Sequence, residues 1–321
     1  MPPSFCRHNR FVENCPICRP AAPPPGPAKK RAASSSTGAR ASAGSRSAAR
    51  PGRAGAVRVR QMVQAADDGY RCELVTGLKA SADAERLADE LAFATARLAE
   101  LAADPPAIYA QIAAEPDAEE ALWLAFLTAY LCPTQDEDPF AAIRAAHVPY
   151  ASGELPDLGV ARGPRTSHDP AAGERTVLAY RAWAQRQGGQ STAFAGESSW
   201  TPERRFDRLF ERLALQGFTR AGRYDLLVTL GRLGVADLRA SSLQLTDDAA
   251  TTAAKRVFGI GDKLLLERRA RDLADAVEVP IEALDLALFN WGAVGGRRAT
   301  MGSAAIPDAG ERDEIAAVLG V

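Results

Sequence analysis

Apolar residues recur three and four positions apart through most of the chain, the spacing that gathers them on one face of a helix. Leu87, Leu91, Leu98 and Leu101 form one such series. Ala121 to Tyr130 is apolar on nearly every side, as a buried central helix would be. Pro139 and Phe140 open a further short helix, and Gly153 to Pro170, with several Gly and Pro, reads as a long loop. Glu174 to Gln187 is the next helix. Thr201 before Pro202 then supplies an N-cap and a first-position proline for another. Phe206, Leu209, Phe210 and Leu213 share one face of it, and Gly217 closes it. Arg220 to Leu233 forms a helix ended by Gly234. A short strand over Tyr70 to Thr76 is the one expected exception. The fold class is therefore all-α, with no internal repeat.

The N-terminal part breaks this pattern. Residues 20–57 are almost wholly Pro, Ala, Gly, Ser, Lys and Arg, with no large apolar residue before Val57. Such a stretch cannot offset its ordering entropy by burial, so it is expected to be a disordered basic linker. It joins a compact Cys/His segment, 1–19, to a helical domain, 58–321. The net charge of −1 hides an asymmetry, because residues 1–66 hold twelve Lys/Arg and a single acid, Glu13. The remainder carries 27 basic and 39 acidic residues. A basic arm on an acidic body suits the holding of a polyanion; a solubilising tail has the same composition.

Cys6-x-His8 and Cys15-x2-Cys18 supply three sulfurs and one imidazole, the donor set of a closed tetrahedral Zn²⁺ site. All four ligands come from protein, so such a metal would be structural; reduced, unliganded thiols are the alternative. Five cysteines, an odd count, with no secretion pattern at the N-terminus argue against a disulfide framework. The longest apolar run, Ala121 to Cys132, is too short to span a bilayer. A cytoplasmic monomer without a membrane partner is expected. His147 and His168 receive no role.

Residues 253–275 read AAKRVFGIGDKLLLERRARDLAD. One helix runs into Phe258, Gly259-Ile260-Gly261 forms the turn, and a second helix starts at Asp262. The glycines allow positive φ and close backbone approach to another surface, while Ile260 pins the turn to the core. The N–H groups opening the second helix, with Lys263 beside them, make an anion site suited to a DNA phosphate. That contact positions a duplex but reads no sequence.

The hairpin and its continuation, VEVPIEALDLALFNWG (277–292), resemble the helix-hairpin-helix DNA glycosylase superfamily. That resemblance implies two helical subdomains with a cleft, and a helix after the hairpin presenting an essential aspartate to a flipped nucleotide. Asp285 matches that aspartate. Its carboxylate would stabilise the oxocarbenium character that develops when an N-glycosidic bond breaks; an ordinary helix-surface carboxylate is the alternative. Lys263 stands where strand-cutting members carry a Schiff-base lysine, so it is either a weak lyase nucleophile or a phosphate contact. Asn290 and Trp291 either line the base pocket or belong to the core.

Further stretches resemble the bacterial alpha-glutamyl/putrescinyl-thymine pyrophosphorylase family, a branch of that superfamily: FCRHNRFVENCPICR (5–19), LWLAFLTAYL with DPFAAI (122–143), SWTPERRFDRLFERL (199–213) and GFTRAGRYDLLVTLGRLG (217–234). The resemblance implies an enzyme acting on hypermodified bases of phage DNA. The expected activity is glycosylase excision of a bulky modified pyrimidine, such as glucosylated hydroxymethylcytosine or hypermodified thymine, from double-stranded DNA in anti-phage defence. A biosynthetic pyrophosphorylase and a non-catalytic DNA-binding module are the alternatives. Pyrophosphate chemistry usually calls for clustered carboxylates on Mg²⁺. Asp247-Asp248 and Asp136-Glu137-Asp138 read instead as cap and loop charges.

Overall fold

The computed structural model describes residues 65–293 and 297–321. Cys6, His8, Cys15 and Cys18, the expected zinc ligands, lie outside the described residues with the linker that follows them.

Twelve α-helices account for the described fold: α1 (Ser81–Ala103), α2 (Ile108–Ala114), α3 (Ala118–Leu131), α4 (Ala141–Ala146), α5 (Gly173–Arg186), α6 (Gln190–Ala195), α7 (Pro202–Arg212), α8 (Arg220–Arg232), α9 (Ala249–Phe258), α10 (Lys263–Ala276), α11 (Ile281–Gly292) and α12 (Ala309–Leu319). These helices belong to one compact unit. No helix among the described residues is long and apolar enough to cross a membrane.

The all-round apolar α3 is the central helix, packing against α2, α6 and α8. Its aromatic side chains stack inside the protein, with Phe126 face to face with Tyr180 of α5 at 3.8 Å between centroids. α11 lies against both α1 and α9, and α12 covers α1. The fit of α11 on α9 is close, since a Cβ on Gly292 would stand 2.9 Å from the Ala253 Cβ. Thr201 caps α7 through the Arg204 N–H, with Pro202 as its first residue, as the sequence predicts. α7 stops at Arg212, earlier than the Gly217 boundary. The chain turns there to bury Phe218, and Gly217, at φ +80°, is pressed against Thr176.

The strand expected over Tyr70–Thr76 is a turn instead. Its polar groups serve other partners: Val75 N–H donates to the Cys72 carbonyl, and the Thr76 hydroxyl donates to the Phe258 carbonyl at the end of α9.

Candidate functional site

The hairpin is a solvent-facing corner. α9 ends at Phe258, Gly259 takes the left-handed conformation at φ +66°, and α10 begins at Lys263. Its anchor lies far away in sequence. Gly77 N–H donates to the Val257 carbonyl at 2.9 Å and the Thr76 hydroxyl to the Phe258 carbonyl at 2.6 Å. Two acceptors that a helix end leaves open are thus satisfied. Ile260 is half-buried and packs on the core, as expected of the residue that pins the turn. Gly261 and Lys263 are exposed. Leu264 and Leu265 follow them at 81% and 48% exposure, so the start of α10 offers solvent a mixed cationic and apolar surface. Asp262 caps the helix by accepting the Leu265 N–H at 3.0 Å, which commits one of the N–H groups expected to hold an anion. Of the two turn glycines only Gly259 has positive φ.

Asp285 lies elsewhere, at the centre of a buried ion network. It is 1% exposed. One oxygen accepts from Arg165 at 2.6 Å and the other from Arg220. Arg165 also grips Asp225 of α8 with two hydrogen bonds of 2.9 Å, and Arg220 reaches Asp248 at 2.5 Å and the Leu243 carbonyl at 2.7 Å. Local structure explains the convergence. Gly163 allows the loop to touch the end of α3, where a Cβ would fall 1.9 Å from the Pro133 carbonyl oxygen. Ser167 N–H and the Thr166 hydroxyl then hook onto the Tyr130 carbonyl, holding Arg165 between them and the core. Arg220 is the first residue of α8, Asp248 the N-cap of α9. Burial opposes the charge on Arg165, but Asp225 and Asp285 outweigh it and hold the guanidinium more firmly protonated than usual. Its Nη1 is buried without a hydrogen-bond partner, while the guanidinium stacks over Phe289 at 4.7 Å.

Asp248 is tuned by the same network. Burial pushes its carboxyl up, yet Arg220 together with the Thr251 N–H and hydroxyl brings it below its ordinary 3.8. A carboxylate depressed in the folded state adds stability that is present above its unfolded value and lost as pH falls through the folded one. The gap in urea midpoint between the native protein and Asp248→Asn is therefore expected to be widest near neutral pH and to narrow below pH ~4. A gap that stays constant from pH 7 to pH 3 would show that Asp248 does not act through its charge.

Asp285 is buried and Lys263 exposed, and among the described residues no hydrogen bond or ion pair joins them. Through Arg220, Asp285 is tied to Asp248 at the start of α9, the helix whose other end the hairpin closes. The structure assigns Asn290 and Trp291 to the core. The Asn290 amide exchanges hydrogen bonds with the Ala299 backbone, and the fully buried Trp291 donates its indole N–H to the Asp83 carbonyl at 2.9 Å. His147 pairs with Glu120, and His168 with the Tyr130 hydroxyl. Asp138 pairs with Arg144, as a loop charge would. Sequence reasoning passed over Arg165, Arg220 and also Glu282, which stands one turn before Asp285 on the same face of α11. The available signal was its place in the first turn after Pro280.

The described chain is thus an all-helical protein that pairs an outward glycine hairpin with a buried arginine–carboxylate network. Residues 165–297 match the family described as Alpha-glutamyl/putrescinyl thymine pyrophosphorylase clade 3, the family that the sequence resembles. The match runs from Arg165 through the hairpin and past Asp285, so it contains both features. No curated protein and no solved structure matches the chain.

Proposed function

We propose that the chain is a DNA glycosylase that excises a bulky modified pyrimidine from double-stranded DNA, phage DNA being the natural source of such bases. The observation that carries this reading is the exposed Gly259–Lys263 corner, lying inside the stretch matched to a family whose description concerns thymine derivatives. The corner offers a phosphate the Lys263 ammonium and the backbone of Gly261, where no side chain intervenes. A nucleotide held beside it is flipped out of the stack, and a carboxylate then stabilises the sugar as positive charge develops. α11 carries two carboxylates one turn apart, Glu282 and Asp285. With both its oxygens on guanidinium groups, Asp285 acts in this reading as a positioning residue that holds Arg165 and Arg220 in place.

Incubating the full chain with phage DNAs of defined base modification, then analysing released bases by mass spectrometry, tests the reading. Free modified base and an abasic site are expected. DNA that binds but yields no base from any modified template would overturn excision in favour of a docking module. Borohydride trapping decides the chemistry of Lys263: an adduct lost in Lys263→Ala assigns a Schiff base, and no adduct leaves it as a phosphate contact. The family description favours a second reading, pyrophosphorylase chemistry on a free nucleotide. Turnover of a modified-thymine nucleotide with pyrophosphate and a divalent metal would support it.

A further inference from the structure

Glu282 is 8% exposed and lines a cavity of about 620 Å³ walled by α8, α10, the start of α11 and residues 238–241. Cavities of roughly 300–1,000 Å³ suit a ligand of nucleotide size. Three guanidinium groups, Arg232, Arg239 and Arg271, line it against two carboxylates, Glu282 and Asp275. Arg232 is committed to Glu282 at 3.3 Å. The other two retain free donors. Arg271 spends its Nε on the Ser241 carbonyl at 3.3 Å, and Arg239, with a side chain 71% exposed, meets only Glu203 among the described residues, at 3.7 Å. Val228 and Val279 add apolar wall. Glu282 accepts long contacts from the Ala240 N–H and from Arg232, both at 3.3 Å, which leaves lone pairs for a further donor.

We propose that this cavity receives a pyrimidine nucleotide by its anionic group, with Arg239 and Arg271 holding the anion and Glu282 accepting an N–H of the base. Arginine suits the first task because its planar fork matches phosphate and carboxylate geometry. The inference rests on the excision reading for the source of the nucleotide. α10 starts at the hairpin with Lys263 and reaches Arg271 eight residues later, about 12 Å along its axis, so one helix carries both the corner and a wall of the cavity.

Calorimetric titration of the full chain with thymidine 5′-monophosphate, thymidine and inorganic phosphate tests the site. The monophosphate is expected to bind at least roughly tenfold tighter than thymidine, and the Arg239→Ala/Arg271→Ala double variant to weaken it by roughly a hundredfold. Both arginines are exposed, so the double variant is expected to melt at the native temperature. Failure of the monophosphate to bind, or equal binding by the double variant, overturns the proposal. The readouts separate it from the excision reading. Base release that persists in the double variant at native kcat/KM removes the cavity and leaves excision standing. Monophosphate binding that the double variant loses, from a native chain that releases no base, keeps the cavity for free nucleotides and removes excision.

Discussion

Arg165→Met is expected to destabilise the protein by about 3–5 kcal/mol, the cost of breaking a buried ion pair by removing one partner. The network holds three carboxylates, on Asp225, Asp248 and Asp285, against the guanidinium groups of Arg165 and Arg220. Removing an arginine leaves the excess negative charge worse compensated, with Asp285 sealed from water. Removing a carboxylate does the reverse. In Asp285→Asn each arginine keeps another aspartate, so the expected loss is smaller, about 1–3 kcal/mol from weakened hydrogen bonds. Arg165→Lys is expected to fall near Arg165→Met, because an ammonium cannot fork across Asp225 and reach Asp285 at once. Urea unfolding of the three variants gives the order. Should Asp285→Asn prove as damaging as Arg165→Met, charge balance is not what the network supplies.

The ranking matters for function, because the mildness of Asp285→Asn lets its activity be read without a folding defect. Base release that persists in this variant shows that excision does not need the Asp285 charge. Base release that vanishes from a well-folded variant shows that excision needs the carboxylate that holds Arg165 and Arg220 in place.

α5 and α8 were legible to within a few residues from their length and end signals, and α3 from an unbroken apolar run. α2 and α6, of seven and six residues, are too short for such signals, and their stability comes from packing on α3. The hairpin was readable because its signal is local: a glycine pair, then a helix start. The network was not. Arg165 stands 120 positions from Asp285, and Arg220 stands 65 from it; nothing in local pattern separates a buried arginine from a solvated one until the tertiary fold closes. The expected role of Asp285 rested on resemblance alone, and the structure supplies the two guanidinium groups that enclose it. The hairpin anchor was hidden for the same reason. Thr76 ends the Tyr70–Thr76 segment that reads as a strand and Gly77 follows it, while the donors of both go to the end of α9.

Gly77→Ala is expected to cost several kcal/mol and to disable the hairpin, though residue 77 lies outside it. A Cβ there would fall 1.9 Å from the Arg256 carbonyl oxygen and 2.5 Å from the Gly259 nitrogen, both backbone atoms that a side-chain shift cannot clear. Overpacking of this kind costs about 1–3 kcal/mol, and loss of the Gly77 N–H contact to the Val257 carbonyl adds about 1–3 kcal/mol as buried groups go unpaired. Either the Thr76–Gly77 segment lifts away or α9 unwinds at its end; both displace Gly259 and the start of α10. Gly261→Ala is the control. Gly261 lacks positive φ, and nothing within 4 Å meets its Cβ, so stability is expected to hold within about 0.5 kcal/mol. Among the described residues nothing requires a glycine at 261, and in the proposed reading its bare backbone serves the close approach of a phosphate. DNA affinity of both variants is therefore expected to fall by roughly tenfold or more, Gly77→Ala with a lowered Tm and Gly261→Ala without one. Gly261→Ala binding DNA at native affinity would remove the corner as the phosphate grip.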